Sequence, residues 1–230
     1  MSSKENLYIS TVGKNGKQYL EKTIRSFGTD TFDYLIIVFD DTTFEEDIFK
    51  SCKFIYEKGY RWHLITKYAM DVDVNYKRIF AWPDDIDVEG FSVTNYIDIM
   101  DQYGLEMSQP ALTEDSYVGH PITAHRKKCI LRFTNFVEIM IPVFDRISWI
   151  KFIGRVNEFL TDSGWGHDFL AESHCGFTKM AIVDAEPVIH TRPIQRFGDE
   201  KRNNELKMTL DHFSDYKVAK MKNYKEIYYT

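Results

Sequence analysis

An α/β fold with a mostly parallel central sheet and helices on both faces is the class this chain predicts, and three observations lead to it. Apolar strand runs alternate with helix-period stretches from residue 7 to residue 82. One run, "YLIIVF" (34–39), is continuously apolar, as a strand covered on both faces must be. Acidic residues collect just after apolar runs, at Asp40 and Asp41 and again at Asp84, Asp85 and Asp87, where an open α/β sheet gathers its ligands.

Taken in order, "LYISTV" (7–12) reads as the first strand, and "QYLEKTIRSF" (18–27) puts Leu20, Ile24 and Phe27 on one helical face before Gly28 stops it. After the second strand, Thr43 with Glu46 three residues on reads as a capping box. It opens an expected helix with Ile48, Cys52, Ile55 and Tyr56 inward, ending at Gly59. "RWHLIT" (61–66) and "KRIFAW" (77–82) read as further strands, and Ser92 caps a helix that ends at Gly104. The second half reads as "LEMSQPAL" (105–112), a polar loop with Gly119, His120 and Pro121, a strand "FVEIMIPVF" (136–144), and a helix from Asp145 to about Leu160. A glycine-rich "SGWGHDF" (163–169), a strand pair in "MAIVDAEPVIH" (180–190) and a charged tail from Gln195, read as a solvated helix or extended arm, complete it. One domain over 1–230 is expected: a nucleotide-binding half (1–91), an acceptor and metal half (92–195) and the tail (196–230).

Bulk properties exclude several classes. The 230 residues are 43% hydrophobic, enough for one sizeable core. Net charge is -6 and the 29 Lys and Arg are scattered, so no footprint for nucleic acid appears. No apolar stretch approaches the roughly 20 residues of a membrane span, and "MSSKENLY" lacks the apolar core of a signal peptide, so a soluble, cytoplasmic protein is expected. Three scattered cysteines offer neither a disulfide framework nor a thiolate zinc site.

The chemistry concentrates in a few places. Asp84, Asp85 and Asp87 on one loop repel each other unless a cation or several N–H donors compensate, and a D-x-D pair can clamp Mg²⁺ or Mn²⁺ while phosphates complete the coordination. An acidic turn ahead of the helix at Ser92 is the plain alternative. His190 closes an apolar strand, where an imidazole could complete a metal site, although a lone His is more often structural. Asp168 follows a glycine turn at a helix start, which suits either a catalytic carboxylate or an ordinary N-terminal acid. Glu138, inside an apolar run, must meet a cation such as Arg132 or face a polar cleft. Asp40 and Asp41 suit ribose or base recognition. No Walker A, G-x-G-x-x-G, G-x-S-x-G or H-E-x-x-H motif is present.

Six ordered blocks, "FAWPDDIDVEGF", "YGLEMSQPAL", "HPIT", "TNFVEIMIPVFDR", "GWGHDF" and "IVDAEPVIH", resemble a family of uncharacterised proteins common in plants, often labelled lysine-ketoglutarate-reductase trans-splicing-related. That family is similar to nucleotide-diphosphate-sugar glycosyltransferases of the GT-A fold. The resemblance spans about residues 76–195 and implies a nucleotide-sugar bound over the first strands. Thr11, Val12, Gly13, Asp40 and Asp85 would contact it, Asp85, Asp87 and His190 would hold Mn²⁺ or Mg²⁺, and Asp168 and Glu138 would serve catalysis. The plant pattern reads W-D-E-D-L-G, so its first acid falls on Pro83 and its glycine on Asp87, which leaves Asp85 as the safest ligand and the partner, Asp84 or Asp87, open.

The expected function is therefore metal-dependent transfer of a sugar, UDP-linked, to a glycan hydroxyl. A non-catalytic glycan- or nucleotide-binding module and a nucleotide-sugar hydrolase are the alternatives. The plant relatives resemble membrane-anchored proteins, and the lack of an anchor suggests a bacterial or viral source or a domain of a longer multidomain protein. Among the four tryptophans, Trp165 between two glycines is the candidate for lining the cleft.

Overall fold

The computed structural model describes residues 4–69, 75–193, 199–213 and 220–229. Its strands run β1 (Asn6–Val12), β2 (Phe32–Val38), β3 (Cys52–Tyr56), β4 (Arg78–Ala81), β5 (Ile86–Asp87), β6 (Met107–Leu112), β7 (Cys129–Thr134), β8 (Val143–Asp145), β9 (Met180–His190) and β10 (Asn223–Tyr228). The helices are α1 (Lys17–Phe27), α2 (Arg61–Ala69), α3 (Val93–Tyr103), α4 (Arg146–Glu158), α5 (Leu170–Ser173) and α6 (Asp199–His212).

One sheet crosses the molecule in the order β10-β7-β9-β6-β8-β4-β1-β2-β3, with β5 paired to the end of β9. The β3, β2, β1 and β4 group is parallel, whereas β8, β7, β10 and β5 run antiparallel to their neighbours. Side-chain alternation along β1 divides the core in two. Tyr8 joins Leu20, Ile24, Phe27, Trp82 and Tyr96 under α1 and α3, while Leu7 and Ile9 join Trp62, Ile65, Trp149 and Phe152 under α2 and α4. Each fully buried Phe, Leu or Ile contributes about 1.5–3 kcal/mol, so both faces of the sheet are strongly held.

Several elements depart from the sequence expectation. Residues 61–66 form the start of α2, not a strand: Trp62, Ile65 and Ala69 follow helical spacing and are all buried. The segment after Thr43 is a short 3₁₀ turn (Asp47–Ser51) and then β3, because Cys52–Tyr56 pairs in parallel with Tyr34–Val38 and extends the sheet. Of "FVEIMIPVF" only Val143 onward is strand. The rest is a buried loop, and it delivers Glu138 and Ile139 to the cleft. Residues 180–190 are one long strand rather than two, with β6 on one side and β7 on the other.

The cap expected at Ser92 is present, its side chain accepting from Asn95 N, and Asp145, the expected start of the later helix, caps α4 by accepting from Ser148 N. The charged tail contributes α6, whose Leu206 and Leu210 pack on the second core; residues 195–198, the start of that tail, lie outside the described residues. No helix among the described residues is long and apolar enough to cross a membrane.

Candidate active site

Beyond the C-terminal ends of β1, β2 and β4 lies a cleft of about 380 Å³. Its position follows from topology, since loops leaving adjacent parallel strands diverge there. Strand β4 ends at Ala81, Trp82 is fully buried beneath it, and the turn at Pro83–Asp85 brings Asp84 and Asp85 to the cleft wall.

Asp84 is locked to the first loop. Its Oδ2 accepts from Gly13 N at 2.9 Å, and a Cβ on Gly16 would fall 2.1 Å from that same oxygen, so the close approach requires glycine. Its Oδ1 accepts from Arg192. Burial holds the Asp84 carboxyl above its ordinary value against these donors.

Asp85 and His190 meet across the end of β9. Asp85 Oδ2 stands 3.3 Å from His190 Nε2 and 3.3 Å from Arg192 Nε, while Asp85 Oδ1 is buried with no hydrogen-bond partner. Thr191 donates its backbone N–H and its hydroxyl to the Asp85 carbonyl, each at 2.9 Å, which fixes the two segments together. His190 Nδ1 lies 2.7 Å from the Tyr117 carbonyl. A carbonyl only accepts, so Nδ1 carries a proton; in the protonated ring Nε2 donates to Asp85 Oδ2, and in the neutral ring it presents a lone pair that a cation can take. Burial works to lower the His190 pKa and to raise that of Asp85. The hydrogen bond and charge between them outweigh it, leaving His190 raised and Asp85 lowered.

Asp87 goes elsewhere. It turns towards α1, where Lys22 Nζ meets its Oδ2 at 2.5 Å and Glu89 N donates to its Oδ1 at 3.1 Å, and it does not line the cleft. The turn at Asp84–Asp85 rotates the chain, so the two acids of the D-x-D spacing diverge. Thr11 and Val12 are buried within β1, and Gly13 sits at its end under the Phe39 ring. Asp40 spends both oxygens on backbone, accepting from Lys14 N at 2.8 Å and Thr42 N at 3.0 Å; its pKa is lowered, first by the Thr42 side chain.

The opposite wall carries the other acids. Glu138 is half-buried, its Oε2 enclosed and unpartnered; desolvation, then the charge of Asp168, pushes it up to about 8. Asp168 Oδ1 accepts from Ile139 N at 2.6 Å, and burial raises this carboxyl to about 6. Trp165 stacks on His120 with ring centres 5.9 Å apart and lines the cleft, as does the buried Trp62, while Trp82 and Trp149 belong to the core. Asp85, His190, Glu138 and Asp168 therefore share one cavity, whereas Asp87, Thr11, Val12 and Asp40 lie outside its lining.

Sequence reading missed two cations. Arg61, half-buried, donates to the carbonyls of Ile139 (2.9 Å) and Ala81, and desolvation of its guanidinium lowers it to about 10, so it stays charged. Its signal was available: an arginine at the first position of a helix opposes the macrodipole and needs another reason to be there. Arg192 stands two residues past His190, on the same strand exit.

Among the described residues no group of three His, Cys, Asp or Glu converges as a metal cage. Asp85 and His190 nevertheless fit a divalent cation as two of its ligands: an orphaned carboxylate oxygen, and an imidazole whose far N–H is held by a carbonyl.

A mixed α/β sheet with this crevice is the GT-A glycosyltransferase fold, and solved structures bear that out. The chain superposes on the S. aureus TarS fragment 1–349 with a TM-score of 0.60 at 8% identity, covering 94% of this chain and 67% of that one. The same fragment in complex with UDP-GlcNAc gives 0.59 at 7% identity, covering 94% and 68%. GalNAc-T7 with UDP, GalNAc and Mn²⁺ gives 0.60 at 9% identity, covering 91% of this chain and 48% of that one. No curated protein matches the sequence. A family profile described as protein of unknown function (DUF707) matches residues 1–134 and 130–229, and the chain belongs to that family.

Proposed function

We propose that this chain is a metal-dependent glycosyltransferase that moves a sugar from a nucleotide diphosphate, UDP-linked, to a glycan hydroxyl. The convergence of Asp85 and His190 on one wall with Glu138 and Asp168 on the other carries this reading. The likeness to structures holding UDP-GlcNAc, and UDP with Mn²⁺, supports it. In this reading residues 1–91 carry the donor and 92–195 the acceptor and metal side of one domain.

Asp85 and His190 hold the cation, Mn²⁺ or Mg²⁺. Bound there, it would neutralise charge on the leaving diphosphate. Asp87, committed to Lys22, does not join them in this reading. Gly13 and Phe39 flank the nucleoside, and Asp40 shapes that loop through its backbone bonds rather than by contact. Asp168, with a pKa of about 6, is ionised at neutral pH and close enough to it to take a proton from the acceptor hydroxyl, if configuration inverts. Glu138, at about 8, is protonated and donates a hydrogen bond to a sugar oxygen.

The test is UDP release from a panel of UDP-sugars with Mn²⁺, with and without glycan acceptors. Release that requires an acceptor supports transfer, and release without one supports a hydrolase. A second reading, a binding module without turnover, draws on Arg192, which already compensates Asp84 and Asp85. No release from any sugar, with UDP binding intact, would favour it.

A further inference from the structure

Two arginines face the strand-end acids, and they are held very differently. Arg61 is half-buried and donates to two main-chain carbonyls, those of Ile139 and Ala81. Arg192 has a side chain 35% exposed on the open side of the cleft. It donates from Nη2 to Asp84 Oδ1. Its Nε, 3.3 Å from Asp85 Oδ2, has no aligned hydrogen bond. Its backbone, by contrast, is anchored, because Thr191 is pinned twice to the Asp85 carbonyl. A long side chain on a fixed root, half in solvent and half aligned, is a cation that can move without disturbing the fold.

What it leaves behind is equally defined. Asp84 keeps its Gly13 bond, and Asp85 keeps His190 and its unpartnered Oδ1. A divalent cation on Asp85 and His190 would repel a guanidinium at this distance. The same guanidinium fork matches a phosphate, which accepts two parallel N–H bonds.

We propose that Arg192 is the resident counter-cation of Asp84 and Asp85, and that it swings onto the donor's phosphates when a divalent cation takes its place. The inference rests on the donor and metal reading above and adds a residue and a movement to it. It predicts that Arg192 opposes metal alone and favours metal with nucleotide, a reversal that a fixed structural arginine would not give.

The experiment is calorimetric titration of Mn²⁺ alone, and of UDP in the presence of saturating Mn²⁺, into the full chain and its Arg192→Met and Arg192→Lys variants, with circular dichroism to verify folding. Arg192→Met is expected to bind Mn²⁺ about tenfold more tightly, because the competing cation is gone. It is expected to bind UDP with Mn²⁺ about tenfold more weakly, because a charge-assisted phosphate contact is lost. Arg192→Lys should fall between, keeping charge without the fork. Equal Mn²⁺ affinity in all three chains, with metal-dependent UDP binding intact, would overturn the Arg192 inference and leave the metal reading standing. UDP binding with no Mn²⁺ binding in any chain would overturn both.

Discussion

His190 Nε2 faces Asp85 Oδ2 at 3.3 Å while its Nδ1 is turned to the Tyr117 carbonyl at 2.7 Å. The imidazole is thus oriented by main chain on one side and aimed at a carboxylate on the other, an arrangement that needs a proton or a metal ion between nitrogen and oxygen. With the raised His190 pKa, the proton's contribution to stability is complete below the ordinary histidine value and is lost as pH rises through the raised one. Asp85, lowered, loses its share only as pH falls through its own depressed value. His190→Gln should therefore destabilise the metal-free protein more at pH 6 than at pH 9 in urea titrations; an equal loss at both would show that the pair is not ionic.

Glu138 gives a slope of the same sign as His190. Its folded pKa of about 8 lies above the ordinary 4.5, so the folded state holds the extra proton and stability falls as pH rises between those values, by about 1.4 kcal/mol per unit. Glu138→Gln keeps the shape without the charge. Its melting temperature should match the parent near pH 5 and exceed it increasingly towards pH 8, and parallel curves would contradict the burial argument.

Asp168→Asn tests catalysis separately from binding. If Asp168 is the proposed proton acceptor, its loss should lower kcat about 10²–10⁴-fold while UDP affinity stays within about twofold. A variant with full kcat would remove Asp168 from the chemistry.

Arg132 and Asp184 are both fully buried between β7 and β9. Arg132 makes two bonds to Asp184, 2.7 and 3.0 Å, and reaches the carbonyls of Ile122 and Ala124. Arg132→Met strands the carboxylate and should cost about 3–5 kcal/mol in urea unfolding, part of it restored by adding Asp184→Asn. Because Arg132 also braces the loop after His120, a loss without recovery would place its role in that loop rather than in the ion pair.

Legibility from sequence followed the physics of each segment. Apolar runs made β1, β2 and β4 readable, and the cap at Ser92 and the helix pattern from Asp145 made α3 and α4 readable, because these signals are local. "RWHLIT" misled because a six-residue apolar run fits strand and helix equally until Ala69, one further turn on, is counted. β3 misled because a capping-box spacing at Thr43 and Glu46 outweighed a strand whose justification is its partner β2, many residues away. Within the cleft, Asp85, His190, Glu138 and Asp168 were readable as polar residues at strand ends or inside apolar runs. The turn of Asp87 towards Lys22, and the roles of Arg61 and Arg192, depend on long-range contacts no local pattern encodes.

The central claim is tested most directly by calorimetric titration of UDP into the protein with and without Mn²⁺, repeated on Asp85→Ala and His190→Ala. Binding should require Mn²⁺ and be weakened at least tenfold by either substitution, since each would remove one of the two proposed metal ligands. Equal UDP affinity with and without Mn²⁺, or affinity unchanged in both variants, would contradict it.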